Sequence, residues 1–346
     1  MTNEQFHMRN GQWSWVNGRL WLGMFCSALF LILVFRNVRW MELAAALHSV
    51  NWSILLLAAA IYALSLFMRS LCWQSLLKPL GPVTTREAFS YASIGYMANN
   101  LLPLRAGELI RAALLAEKRG FTKSAVLATI VLERLLDVLI LGTLTAFLMI
   151  AMPIPSMAKG SILLSLVAGL LVVIGLWWAA GRGWSDGDKE QGPRWLQRRV
   201  LRGAVKLTRS FSGGLLALRS IRQAGVAAFY SLMAWTLVCG SIYLMMLASH
   251  LRLPWRAALL VLVMVNLGSI IPSSPGSIGV VHFLAVMALS PWMIEREVAV
   301  GFSIVLHAVS LLVTVVLGAA CLWKEKIGLV SVNKASFQAP VLPVRD

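Results

Sequence analysis

Apolar residues recur in runs of about twenty, and this run length constrains the chain more than any other feature. Six runs, roughly residues 20–37, 52–76, 123–150, 158–180, 224–248 and 298–322, are long enough to cross the hydrocarbon layer of a bilayer. Inside that layer a backbone has to satisfy its own polar groups, so each run is expected to be a helix. Of the 346 residues, 59% are hydrophobic and 13% charged, whereas soluble domains carry about 25% charge. An all-α integral membrane protein follows, with the usual soluble enzyme classes excluded.

Two further apolar stretches are interrupted. Residues 86–116 break at Asn99, Asn100 and Pro103, and residues 256–290 break at Pro272 and Pro275. The segment REAFSYASIGYMANNLLPLRAGE aligns with RAALLVLVMVNLGSIIPSSPGS: each opens on an arginine (Arg86, Arg256), reaches a proline (Pro103, Pro272), and places glycine four positions later (Gly107, Gly276). Further along, IVLERLLDVLILG (130–142) matches IVLHAVSLLVTVVLG (304–318) in its opening and in its approach to glycine. The pattern reads as an internal repeat.

Charge sets the orientation. The formal net charge is +17, and residues 182–222 hold ten Lys/Arg against Asp186, Asp188 and Glu190. Basic loops prefer the cytoplasmic side, which assigns this charge to a membrane surface rather than to nucleic acid. With that loop and both termini inside, region 86–116 starts and finishes inside, and region 256–290 starts and finishes outside. The expected fold is six full transmembrane helices plus two re-entrant helical hairpins, arranged as an inverted internal repeat, a layout typical of secondary transporters. Proline and glycine account for the breaks, through a lost donor and through unusual dihedrals. Pro103, Gly107, Pro272, Pro275, Gly276 and Gly279 are therefore read as structural hairpin residues.

Charged and polar groups at membrane depth are costly and tend to be functional. Arg105, Glu108 and Arg111 follow the first break; Glu108 and Arg111 share a helix face, and Glu108 is expected to hold one arginine while the other stays available. Arginine offers a planar fork of donors suited to phosphate. Glu133, Arg134 and Asp137 lie within a later span, with the two carboxylates on one face and one of them a partner for Arg105 or Arg111. Asn99 and Asn100 at the first tip, Ser273, Ser274 and Ser277 at the second, and His282 and His307 beyond it complete the candidate substrate-binding set. For each of these residues a purely structural role, as an ion cluster, a back-bonded serine or a satisfied core histidine, stands beside the functional one. No catalytic residue is assigned, and no metal site, the latter because close multi-ligand spacing is lacking.

The polar segment 181–223 has apolar positions at Leu196, Val200, Ala204, Leu207, Phe211 and Leu215, with Arg198, Arg202, Lys206 and Arg209 on other faces, as in an amphipathic helix on the cytoplasmic leaflet. Residues 331–346 read as a polar tail. Cys26, Cys72, Cys239 and Cys321 lie in or beside apolar runs and read as packing residues. Walker, nucleophile-elbow, HExxH and dinucleotide fingerprints are absent, and no cofactor is expected.

NNLLPLRAGELIR (99–111) followed by IVLERLLDVL (130–139) resembles the flippase-like membrane domain of the lysylphosphatidylglycerol synthase family, and PSSPGSIGVVHF resembles that family's second proline-glycine element. The likeness covers about residues 15–325. The family's first motif falls on Asn100, Pro103, Arg105, Gly107, Glu108 and Arg111, and its second on Pro272, Pro275, Gly276 and Gly279. Three positions depart from the pattern: Ser277 replaces a second glycine, His282 stands at a glutamate position, and His307 stands near an arginine position.

The resemblance implies a single flippase-like membrane domain over residues 1–330, with halves 20–150 and 158–323 and without the soluble synthase domain. It implies residence in the bacterial cytoplasmic (inner) membrane and translocation of an anionic or aminoacylated phospholipid, or of a polyprenyl-phosphate-linked substrate. Two other classes stay open: a membrane-embedded transferase acting on a lipid phosphate, and a noncatalytic partner of an envelope-lipid enzyme. Homo-oligomerisation is also left open.

Overall fold

The computed structural model describes residues 23–102, 106–151, 221–268 and 273–327. Among these residues the regular secondary structure is helical throughout: α1 (Gly23–Phe35), α2 (Trp40–His48), α3 (Trp52–Leu77), α4 (Thr85–Leu101), α5 (Gly107–Arg119), α6 (Lys123–Ala151), α7 (Ile221–Ala248), α8 (Trp255–Gly268), α9 (Val280–Leu289) and α10 (Arg296–Lys324), joined in places by short 3-10 turns. The expected span 158–180, most of the basic segment 181–223 and the polar tail lie outside the described residues, as do Pro103, Arg105 and Pro272.

Local chemistry accounts for the boundaries. Asn51 Oδ1 accepts from the backbone N–H groups of Ser53 and Ile54 at the start of α3, at 3.1 and 3.2 Å. A capping box starts α4: Glu87 Oε2 accepts from the Thr84 amide and hydroxyl, and the Glu87 amide donates to Thr84 Oγ1. Gly120 ends α5 in the left-handed region at φ 70°, which glycine adopts without a Cβ penalty.

Among the described residues four segments are long and apolar enough to cross a membrane: Trp52–Leu80, Arg222–Ala248, Pro275–Trp292 and Arg296–Lys324. The third reaches that length only by joining 3-10 turns to the ten residues of α9. Helix α6, at 29 residues, equals the longest of them. This is a membrane protein.

The first expected span, 20–37, is described from residue 23 onward as α1. α1 bends by 91° into α2, a helix that the sequence reading left as a connection. Asn37 makes the turn at φ 62°, a left-handed conformation that asparagine tolerates better than most residues. The interrupted regions appear as pairs of short helices. α4 and α5 rise about 26 and 20 Å, and α8 and α9 about 21 and 15 Å, at 1.5 Å per residue. Each is shorter than the roughly 30 Å of hydrocarbon.

The described residues fall into two compact units. The first holds residues up to Ala63, Asn99–Arg105 and Leu237–Val315. Its core gathers Val34, Val38, Leu43 and Val300, with Phe35, Leu47, Phe283, Val286 and Ile304 around them. Here the two helix breaks meet: a Cβ placed on Gly276 would stand 3.6 Å from the Asn100 carbonyl oxygen. The second unit holds Leu64–Ala98, Ala106–Thr236 and the residues from Val316. Its core includes Cys72, Leu76, Leu132 and Ala227, packed by Leu135, Leu136 and Tyr230. These units cut across the two halves of the sequence. Small residues allow the close contacts, as expected where lipid leaves packing rather than water exclusion to hold helices together: Gly318 sits against Met97 and the Ser93 carbonyl. Large side chains such as Leu56, Phe229 and Leu312 point outward, and Trp40, Trp52 and Trp323 are exposed at helix ends, where indole rings favour the membrane interface.

Candidate functional site

In the second unit, α3, α4, α5, α6 and α7 bring together three guanidinium groups and three carboxylates. Arg111, on α5, is 1% exposed. Its stem fits against Gly95 of α4, where an added Cβ would come within 3.0 Å of the Arg111 Cβ and Cδ and of the Gly107 carbonyl. Its Nη2 donates to Glu133 Oε2 at 2.9 Å. The guanidinium carbon lies 4.8 Å from the centre of the Trp73 ring and 5.5 Å from that of Tyr96, within cation–π range. The Tyr96 hydroxyl donates to Glu133 Oε1 at 3.2 Å. Nε and Nη1 of Arg111 have no hydrogen-bond partner among the described residues.

Asp137 is the second centre. Arg69 Nη1 and Arg134 Nη1 each reach its Oδ2 at 3.1 Å, while Trp235 Nε1 and Ser231 Oγ donate to its Oδ1 at 2.9 and 3.2 Å. Arg69 also stacks over Trp235, 4.3 Å from the ring centre. Arg134 links the two centres: its Nε is 3.0 Å from Glu108 Oε1 and its Nη2 is 3.6 Å from Glu133 Oε1. Glu133 and Asp137, four residues apart on α6, have Arg111 and Arg69 respectively and share Arg134, so cations offset their mutual repulsion.

Glu108, expected to hold Arg105 or Arg111, meets Arg134, while Arg111 turns inward to Glu133 and Arg105 lies outside the described residues. Sequence reasoning also missed Arg69, Trp73, Tyr96, Ser231 and Trp235. Arg69 carried a legible signal, as the sole charged residue of a 26-residue apolar helix. The aromatic members carried none that distinguishes them from ordinary span residues.

The first unit contains the neutral candidates. Ser27 of α1, another residue the sequence did not single out, donates from Oγ to Ser274 Oγ and accepts from the Ser274 amide, each at 2.9 Å. Ser273 donates to Ser277 at 3.2 Å. Pro275 opens a single 3-10 turn, and Gly276, Ser277 and Gly279 all have positive φ. Gly279 backs onto the Ser27 carbonyl, leaving no room for a Cβ. His282 and His307 stack on each other and are 8% exposed. Asn99 belongs to this unit, and its Oδ1 is buried without a partner among the described residues. No group of three His, Cys, Asp or Glu among the described residues is placed to hold a metal ion.

A family model described as the lysylphosphatidylglycerol synthase TM region matches residues 20–318. The chain belongs to that family. The matched region contains both polar clusters. A UPF0104 membrane protein of Methanothermobacter thermautotrophicus (strain ATCC 29096 / DSM 1053 / JCM 10044 / NBRC 100330 / Delta H) is 25% identical over 272 residues, covering 73% of this chain and 78% of that protein.

Proposed function

We propose that this member of the lysylphosphatidylglycerol synthase transmembrane family moves an anionic phospholipid, or a lipid-linked phosphate, between the leaflets of a bacterial cytoplasmic membrane. The observation that carries this reading is Arg111: a guanidinium with two unpartnered nitrogens among the described residues, buried directly after a helix break. A cation held at that depth with donors to spare suits a phosphate oxygen. Arg134, which is 38% exposed at its side chain and paired with a 30% exposed Glu108, offers the more accessible position. Three arginines facing three carboxylates make the cluster neutral as it stands. An arriving phosphate replaces a carboxylate on an arginine, and its departure restores the original pair. The acyl chains remain in lipid, and no covalent step is needed.

On this reading each interrupted region is a re-entrant hairpin that enters and leaves on one face, a layout supported by the short lengths of α4, α5, α8 and α9. With both termini cytoplasmic, the first hairpin enters from inside and the second from outside, giving the two-sided access that transport requires.

The test is translocation of a fluorescent anionic phospholipid in sealed vesicles containing only this protein. Wild type is expected to exceed protein-free vesicles clearly. Arg111→Lys keeps the charge but loses the planar fork, and is expected to lower the rate at least about tenfold, the scale of one lost charge-assisted hydrogen bond. Equal rates in wild-type and protein-free vesicles would refute the reading.

A further inference from the structure

The first unit buries two imidazoles that the arginine cluster does not use. His282 lies in the first turn of α9 and His307 in α10; their ring centres are 4.9 Å apart and their planes are inclined by 23°. The tautomer of His282 follows from its partner. The Ser303 hydroxyl donates to the Val300 carbonyl at 2.7 Å, and a hydroxyl has one proton to give. Toward His282 Nδ1, 3.2 Å away, Ser303 Oγ is therefore the acceptor. Nδ1 carries the hydrogen, and the basic lone pair of His282 is at Nε2. His307 Nδ1 is buried with no partner among the described residues.

Among the described residues the pair is also isolated from fixed charge. Of the elements around it, α2 carries Glu42 and His48, α8 carries Arg256, and α10 carries Arg296, Glu297 and Lys324, while the described part of α1 adds only the Cys26 thiol and the tip 273–279 only serines. Arg296 is turned to the carbonyls of Leu33 and Val34, and Glu297 to Arg39. Among the described residues, the charge neighbour of His282 is His307 alone. No carboxylate or guanidinium among the described residues locks the pair in one charge state. Two imidazolium rings this close in a low-dielectric interior repel strongly, so the pair holds one proton at most.

We propose that His282 and His307 form a membrane-buried proton-binding site, and that its loading and unloading drives lipid movement; the second clause rests on the translocation reading above. The proton comes from the aqueous phase of higher proton activity, adds to an imidazole lone pair, and leaves to the other phase. A cation on His282 stands at the N-terminus of α9, the positive end of the helix dipole. Loading therefore weakens the docked position of the 273–279 tip, which the Ser27–Ser274 hydrogen bonds hold against α1.

Two measurements on the full chain test this. In detergent, ¹⁵N-imidazole spectra assigned with His282→Gln and His307→Gln are expected to show His282 as the Nδ1–H tautomer at alkaline pH, with one proton entering the pair on acidification. An Nε2–H tautomer, or no protonation of either ring while the fold persists, would overturn the site. In vesicles, the readout is the ratio of labelled-lipid flux with and without a two-unit pH gradient. One proton per lipid allows up to about tenfold bias per pH unit at equilibrium. The ratio is expected to be several-fold in wild type and near one in His307→Gln, whatever the gradient-free rate of that variant. Ser303→Ala keeps both rings and releases the tautomer, and is expected to reduce the ratio partially. Flux that ignores the gradient in wild type overturns the coupling and leaves translocation standing. An absence of flux under every gradient removes the translocation reading and leaves the proton site to the spectra.

Discussion

The two interrupted regions reach the same problem, polarity beside a helix break, with opposite chemistry. The first hands its second arm to an ionic cluster, in which Arg111 pairs with Glu133 and Arg134 with Glu108 and Asp137. The second leads into serines and a histidine pair joined by neutral hydrogen bonds. Both use glycine where a neighbouring element comes close: Gly95 faces Arg111, and Gly279 faces the Ser27 carbonyl. The difference teaches how each can act. On the proposed reading the balanced ionic cluster exchanges partners with an incoming anion, and the neutral cluster, with no spare charge to exchange, takes a proton instead.

The comparison breaks most visibly at Arg111. Arg111→Leu leaves Glu133 buried without its main cation, and is expected to cost about 3–5 kcal/mol of stability against unfolding in detergent. The double variant Arg111→Leu with Glu133→Leu should recover much of that loss while abolishing lipid flux. Recovery of stability together with flux would show that the pair is scaffold only.

On the neutral side the effects are smaller. Gly279→Ala places a methyl on the Ser27 carbonyl at φ 92° and is expected to cost about 1–3 kcal/mol. The same unfolding measurement checks it, and a neutral result would mean that α1 is not fixed to the tip. Ser27→Ala removes two hydrogen bonds to Ser274 and should cost about 1 kcal/mol. It sharpens the contrast if the pH response of the tip increases while anion binding at the arginine cluster is unchanged.

Much of this layout was legible in the chain. Run length located α3, α6, α7 and α10 to within a few residues, because long apolar helices leave little ambiguity. The broken segments were visible through Pro103, Pro272 and the glycines that follow them. The bend between α1 and α2 was not, because Asn37 in a left-handed turn leaves no periodic trace. The polar members on α5 and α6 were found because charge in an apolar run is conspicuous. Their pairing was harder: by spacing Glu108 could hold Arg105 or Arg111, and its partner among the described residues is Arg134, on another helix. Ser27 and the aromatic walls at Trp73, Tyr96 and Trp235 were hidden, since serine and tryptophan are ordinary residues of membrane helices.

Entry of the two hairpins from opposite faces is tested most directly by labelling single cysteines with an impermeant thiol reagent. The positions are Pro82→Cys and Lys118→Cys, which flank the first hairpin, and Arg252→Cys and Met293→Cys, which flank the second, each in a background lacking Cys26, Cys72, Cys239 and Cys321. In sealed vesicles of known orientation, positions 82 and 118 should react from one side only, and 252 and 293 only from the other. Reaction of 82 and 118 from opposite sides, or of all four positions from the same side, would contradict the inverted arrangement and the transport that depends on it.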